Sequence, residues 1–227
     1  MNGDVEEVLG RLRTMARPGG REGMARFGIN PDRALGVRIP DLRRLAREMG
    51  RDHRLALALW ATGVHEARIL ASMVDDVDRV TERQMDRWAR DFDSWDVCDQ
   101  VCGNLFDRTP FAVGKAHAWA SSEPEFVKRA GFALMAWRAV HERGASDREF
   151  LDYLPVIERH AGDDRNYVKK AVSWALRQIG KRNRRLHRAA IRSAGRISAQ
   201  GSGPASWVAA DALRELRSRA VLDRLAS

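Results

Sequence analysis

Trp95 and Asp99 stand four residues apart in the stretch SWDVCDQVC, residues 94–102. That spacing sets both on one side of an α-helix. Val97, Cys98, Val101, Cys102, Leu105 and Phe106 form the apolar face of this helix, so the indole and the carboxylate lie side by side at its edge, half desolvated. A carboxylate fixed there stabilises positive charge developing on a bound molecule, and an indole face adds cation–π attraction. Asp96 is expected to point further toward solvent and to act near the helix N-terminus, where negative charge is favoured.

A second helix pattern runs through RNYVKKAVSWALRQIGKR, residues 165–182. At 100° per residue, Val168, Val172, Ala175 and Ile179 make a narrow core stripe, while Lys170, Trp174, Arg177 and Lys181 fall nearly opposite, with Tyr167 beside them. Two readings are open. Trp174 packs on a neighbouring helix and the cations reach past it to water, or the face meets nucleic acid, with Lys and Arg on phosphates and the indole on sugar or base. In EFVKRAGFALMAWR, residues 125–138, Arg129 shares its side with Phe132, Ala133 and Ala136. A guanidinium starting from so apolar a face calls for a carboxylate or phosphate, such as Asp99 or a DNA phosphate.

The 227-residue chain has a formal net charge of +9, and the excess is regional. Residues 165–210 hold eleven Lys and Arg, among them Arg182, Arg184 and Arg185, with no Asp or Glu, leaving 29 basic against 31 acidic residues elsewhere. A polyanionic partner is the natural reading; a solvated basic face is the alternative. The two cysteines cannot build a disulfide framework, and the six histidines show no metal-ligand spacing. No metal or cofactor is therefore expected. No apolar run approaches a membrane span and no leader pattern opens the chain, which fits a cytoplasmic protein that associates with the nucleoid when on DNA.

The elements that must position these groups are helices. Strand signals are nearly absent, and apolar residues recur at helical spacing in DHRLALALWATG, VHEARILASMVDDV and TERQMDRWARDF. Roughly a dozen helices of ~10 to 18 residues are predicted. Breaks at Thr109, Ser121 and Ala161 punctuate helix pairs at about forty-residue spacing, as in stacked helical repeats; globular multi-helix packing would give a similar pattern. RPGGREG (17–23) and QGSGP (200–204) read as loops within one domain, 1–227, rather than as linkers.

Taken in order, MARF (24–27), ALGVRIPDLRRL (34–45), SWDVCD, KRAGFAL and VKKAVSWALRQIGK resemble the AlkD-type DNA alkylation repair glycosylases. The resemblance covers most of the chain. It implies an all-α superhelix of HEAT-like repeats with a concave basic face, acting as a monomer on double-stranded DNA with alkylated bases. Trp95 and Trp174 would be the aromatic pair flanking the lesion's deoxyribose and Asp99 the catalytic carboxylate. Arg129 is similar to a family arginine near that carboxylate, and Phe27 stands where a tyrosine is expected. The implied reaction is release of cationic N-alkylpurines such as 7-methylguanine and 3-methyladenine, without strand cleavage. A non-catalytic binder of distorted or branched DNA would use the same basic helices.

Overall fold

The computed structural model describes residues 4–226, so the extreme ends of the expected 1–227 domain lie outside it. Among the described residues there are fourteen α-helices, two 3-10 turns and no strand. The chain divides into two compact units, Met1–Thr109 and Pro110–Ser227.

The first unit holds α1 (Val5–Met15), α2 (Gly20–Arg26), α3 (Ile39–Met49), α4 (His53–Ala61), α5 (His65–Val74), α6 (Glu82–Arg90) and α7 (Trp95–Asn104). Local chemistry sets the boundaries. The Asp52 carboxylate accepts the Leu55 N–H at 3.0 Å to open α4, and Gly63, at a positive φ of 70°, turns the chain after it. Thr81 caps α6 through the Gln84 N–H at 3.1 Å. Of the face predicted from Val64 to Val74, Ala67, Leu70, Ala71 and Val74 are buried on α5, while Val64 is half-buried at the N-cap. The core centres on Trp88, whose ring stacks on Trp60 at 4.0 Å, with Phe92 and Phe106 against the pair.

The segment 17–23 differs from the expected loop, since α2 begins inside it. Gly19 turns the chain at φ 71°, and Gly20 then lies against Gly36, whose carbonyl oxygen would be 2.8 Å from any Cβ at position 20. The two glycines allow a backbone crossing that larger residues would block.

The second unit holds α8 (Ala112–Ala120), α9 (Glu125–His141), α10 (Asp147–His160), α11 (Asn166–Gly180), α12 (Arg184–Ser198), α13 (Gly203–Leu216) and α14 (Arg219–Ala226). Its cross-helix pairs advance in step along both partners. Phe126 meets Tyr167 and Trp137 meets Trp174, so α9 and α11 run parallel. Lys169 meets Trp207, Ser173 meets Asp211 and Arg177 meets Glu215, so α13 continues the layer. On the other layer Asp147 meets Asn183 and Glu158 meets Arg196, making α10 and α12 parallel as well. These hydrogen-bonded partners lie 36 to 38 residues apart, the length of one helical pair. Stacked pairs of this kind are helical repeats. Gly131 lets α9 approach α8 closely, because a Cβ there would collide with the Ala120 backbone.

Candidate nucleic-acid interface

In the first unit, α7 carries Trp95 and Asp99. The predicted apolar face is in place: Val97, Cys98, Val101, Cys102 and Phe106 are fully buried and Leu105 nearly so. Trp95 and Asp99 are half-buried at the edge of that face. The Trp95 indole N–H donates to the Phe27 carbonyl at 3.0 Å, which ties the ring to the segment after α2. The Phe27 side chain itself is 75 % exposed. Burial, reinforced by Cys98 and by the negative charge of Asp99 and Asp107, pushes the Cys102 thiol well above its ordinary pKa, so it adds no charge beside the carboxylate.

Asp96 is not the solvent-facing residue that its place in the first turn suggested. Its Oδ2 lies 2.8 Å from His65 Nε2 and its Oδ1 accepts the Ser94 hydroxyl at 2.7 Å. Burial alone would raise the Asp96 pKa, but these partners outweigh it and hold the carboxyl below the ordinary range. The helical period showed which way Asp96 leaves α7, but not that α5 brings a histidine to meet it.

In the second unit, the core stripe of α11 is as predicted, with Val168, Val172, Ala175 and Ile179 all buried. Trp174 is half-buried and packs edge-on to Trp137 at 5.4 Å, while Trp137 stacks on His141 at 4.8 Å. Tyr167 lies against Phe126 at 5.4 Å. The packing reading of Trp174 therefore holds, and the part of the ring left accessible keeps the nucleic-acid reading open. Arg129 is buried, and its Nη1 donates to the Tyr167 carbonyl at 2.6 Å, joining α9 to the first turn of α11.

The cations fall into two groups. Lys170 is exposed, as are Arg188 and Arg192 on α12, and none of the three makes an ion pair among the described residues. Arg185 is also exposed, with Asp147 at 3.7 Å. The others have structural work. Arg177 and Lys181 both pair with Glu215, and Arg177 also lies 3.5 Å from Asp211. Burial would raise the Glu215 pKa, but the hydrogen bonds from Lys181 and Arg177 lower it. Arg182 lies over the Phe150 ring at 4.0 Å and donates to the carbonyls of Ala139 and Glu142, at the end of α9. Arg184 donates to the carbonyls of Leu225 and Ala226, closing α14. Asp211 and Glu215 lie just past the acid-free segment, so a count along the chain could not see them come back to it.

A cleft of about 370 Å³ opens in this unit, lined by Val140, Arg143, Gln178, Lys181, Arg182 and Arg224 among others. Arg143 and Arg224 were missed in the sequence because they stand alone among other charges. Trp137 was missed because it looked like part of the apolar circumference of α9. The cleft and the Trp137–Trp174 pair share α9 and α11, with cations toward the C-terminal ends. Such a surface suits a phosphate backbone with exposed sugar or base beside it.

Layered helical pairs with these aromatic and cationic faces define a HEAT-like repeat protein. The chain belongs to the DNA alkylation repair enzyme family, whose profile matches residues 8–216. It is also similar in fold to a solved structure described as "a new family of proteins related to the HEAT-like repeat DNA glycosylases with affinity for branched DNA structures". The TM-score is 0.77 at 20% identity, over 86% of this chain and 83% of that one. No curated protein matches this chain.

Proposed function

We propose that the protein is a monofunctional DNA glycosylase that hydrolyses the N-glycosidic bond of cationic N-alkylpurines, such as 7-methylguanine and 3-methyladenine, in duplex DNA. The observation that carries this reading is the half-buried pair of Trp95 and Asp99 on α7. As the base departs, positive charge builds on the sugar. A fixed carboxylate stabilises that charge and can orient the attacking water, and an indole face adds cation–π attraction. An alkylated base that already carries a positive charge leaves without a strong general acid. In the second unit, Trp174, Lys170, Arg185 and the cationic cleft would hold the DNA backbone. No lysine is assigned as an imine-forming nucleophile, so the product is an abasic site in an unbroken strand.

The experiment is release of 7-methylguanine from a methylated duplex by the intact protein and by Asp99→Asn, with duplex affinity measured alongside. Release that drops ~10²-fold or more with unchanged affinity supports the reading, since loss of one preorganised electrostatic stabiliser costs that much. A second reading is a non-catalytic binder of branched or distorted DNA, favoured by the affinity ascribed to the protein of similar fold. It predicts no release from either form and tighter binding to a four-way junction than to a duplex.

A further inference from the structure

His65 lies in the first turn of α5, 5% exposed, and is built into the frame that supports α7. Its backbone N–H donates to the Arg33 carbonyl at 3.0 Å. The next residue, Glu66, is buried and accepts three backbone N–H groups, from Leu35 at 2.8 Å, Gly36 at 2.6 Å and Val37 at 3.1 Å. The histidine thus stands on a rigid base. From there its Nε2 reaches Asp96 Oδ2, and Asp96 in turn takes the Ser94 hydroxyl and the Val97 N–H. The segment before α3 closes the other side, through Asn30 to Ser94 and Phe27 to Trp95.

Asp96 is therefore bound to α5 through its side chain while sitting between Trp95 and the turn that carries Asp99. Ser94 occupies the N-cap position of α7, yet its hydroxyl serves Asp96 and makes no cap bond to the helix. The first turn of α7 depends on this side-chain network to fix its direction.

We propose that His65 is a positioning residue for Trp95 and Asp99: its imidazolium, paired with Asp96, fixes the start of α7, and catalysis slows when His65 loses its proton. The inference rests on the glycosylase reading given above. The charges facing the ring are Asp96 on α7, Asp93 in the turn before it and Glu66 on its own helix, all negative. The helices α3 and α4, which also pack on α5, turn Leu42, Leu45, Leu55 and Leu59 into the core, and no charge on either helix acts on the ring. Burial works against protonation, but the hydrogen bond and charge of Asp96, with Glu66 and Asp93, outweigh it and raise the His65 pKa above 6.5. After deprotonation a neutral ring still donates to the ionised Asp96, but the attraction between opposite charges, which is strong in a buried site, is lost.

The test compares the pH dependence of 7-methylguanine release by the intact protein and by His65→Gln, whose amide keeps a donor near Asp96 but does not titrate. For the intact protein kcat should fall roughly three- to tenfold through a midpoint above the unperturbed histidine value of about 6.5, with KM unchanged. In His65→Gln that alkaline fall should be absent. Persistence of the fall in the variant, or its absence from the intact protein, overturns the inference. A readout that needs no catalysis is the indole N–H resonance of Trp95 in the full-length protein. It should shift with the His65 midpoint and stop shifting in His65→Gln, and a resonance indifferent to His65 also overturns the inference. Absence of base release together with a titrating Trp95 signal would count against the glycosylase reading while upholding the coupling of His65 to α7.

Discussion

Arg177 on α11 is bonded to Glu215 on α13, and Lys181, one turn further on, shares the same carboxylate. With Asp211 also 3.5 Å from Arg177, two of the cations that stand out in the sequence are largely neutralised before any DNA arrives. The pairing is partly exposed, and such pairs contribute only ~0.2–1 kcal/mol to stability.

Glu215→Gln should therefore fold normally and bind duplex DNA more tightly. Asp211 still faces Arg177, so the one charge freed should steepen the fall of log K with log salt by about one unit, given a slope of ~0.9 per phosphate neutralised. Fluorescence anisotropy over a salt series measures both. An unchanged slope would mean that Arg177 and Lys181 do not face the backbone.

The cleft beneath Val140 offers a complementary test. Val140 is 43% exposed and lines the same cavity as Arg143, Lys181, Arg182 and Arg224. Val140→Glu places a carboxylate among these cations without removing any helix-capping guanidinium. Duplex affinity should fall severalfold and the salt slope should flatten by about one unit. Unaltered binding would remove the cleft from the DNA path.

Glu66 supplies a stability prediction. Its buried carboxylate holds the N–H groups of Leu35, Gly36 and Val37, so Glu66→Ala strands three donors, those of Gly36 and Val37 buried and that of Leu35 partly so. At ~1–3 kcal/mol for each unsatisfied buried group, with some recovered by water, the loss should be at least ~2 kcal/mol. Urea unfolding followed by tryptophan fluorescence reads it out. A loss below ~1 kcal/mol would show that the 33–37 segment is held by other means.

The His65–Asp96 pair also links stability to pH. A raised His65 pKa gives stability fully present below its unfolded value of 6.5 and lost as pH rises through the higher folded value. A lowered Asp96 pKa gives stability present above 3.8 and lost as pH falls through the lower folded value. The two contributions overlap between 3.8 and 6.5. Thermal melts of the intact protein and His65→Gln should differ most in that window and converge at alkaline pH. A difference constant across the range would contradict the assignment.

Helical period and capping chemistry made the helices legible: Asp52, Thr81 and the stripe from Val168 to Ile179 all act as their positions imply. Trp95, Asp99 and Trp174 were visible because each breaks the apolar pattern of its own helix. What lay hidden was pairing one repeat away. His65 meets Asp96 across 31 residues and Arg177 meets Glu215 across 38, and no local period relates such positions. Arg182 and Arg184 look like free surface charge in the sequence, yet each donates to backbone carbonyls about forty residues distant.

The rungs between α11 and α13, Lys169 to Trp207, Ser173 to Asp211 and Arg177 to Glu215, all span the same 38 positions. That common interval makes the second unit unequally tolerant of changes in chain length. An extra residue in the 199–202 turn adds slack outside the helices and leaves the rungs aligned. The same residue inserted within α12 rotates everything after it by about 100°, and the chain must absorb that rotation before α13 can meet α11 again. Insertions and deletions acceptable to this protein should accordingly gather in its turns, with helix lengths kept nearly fixed.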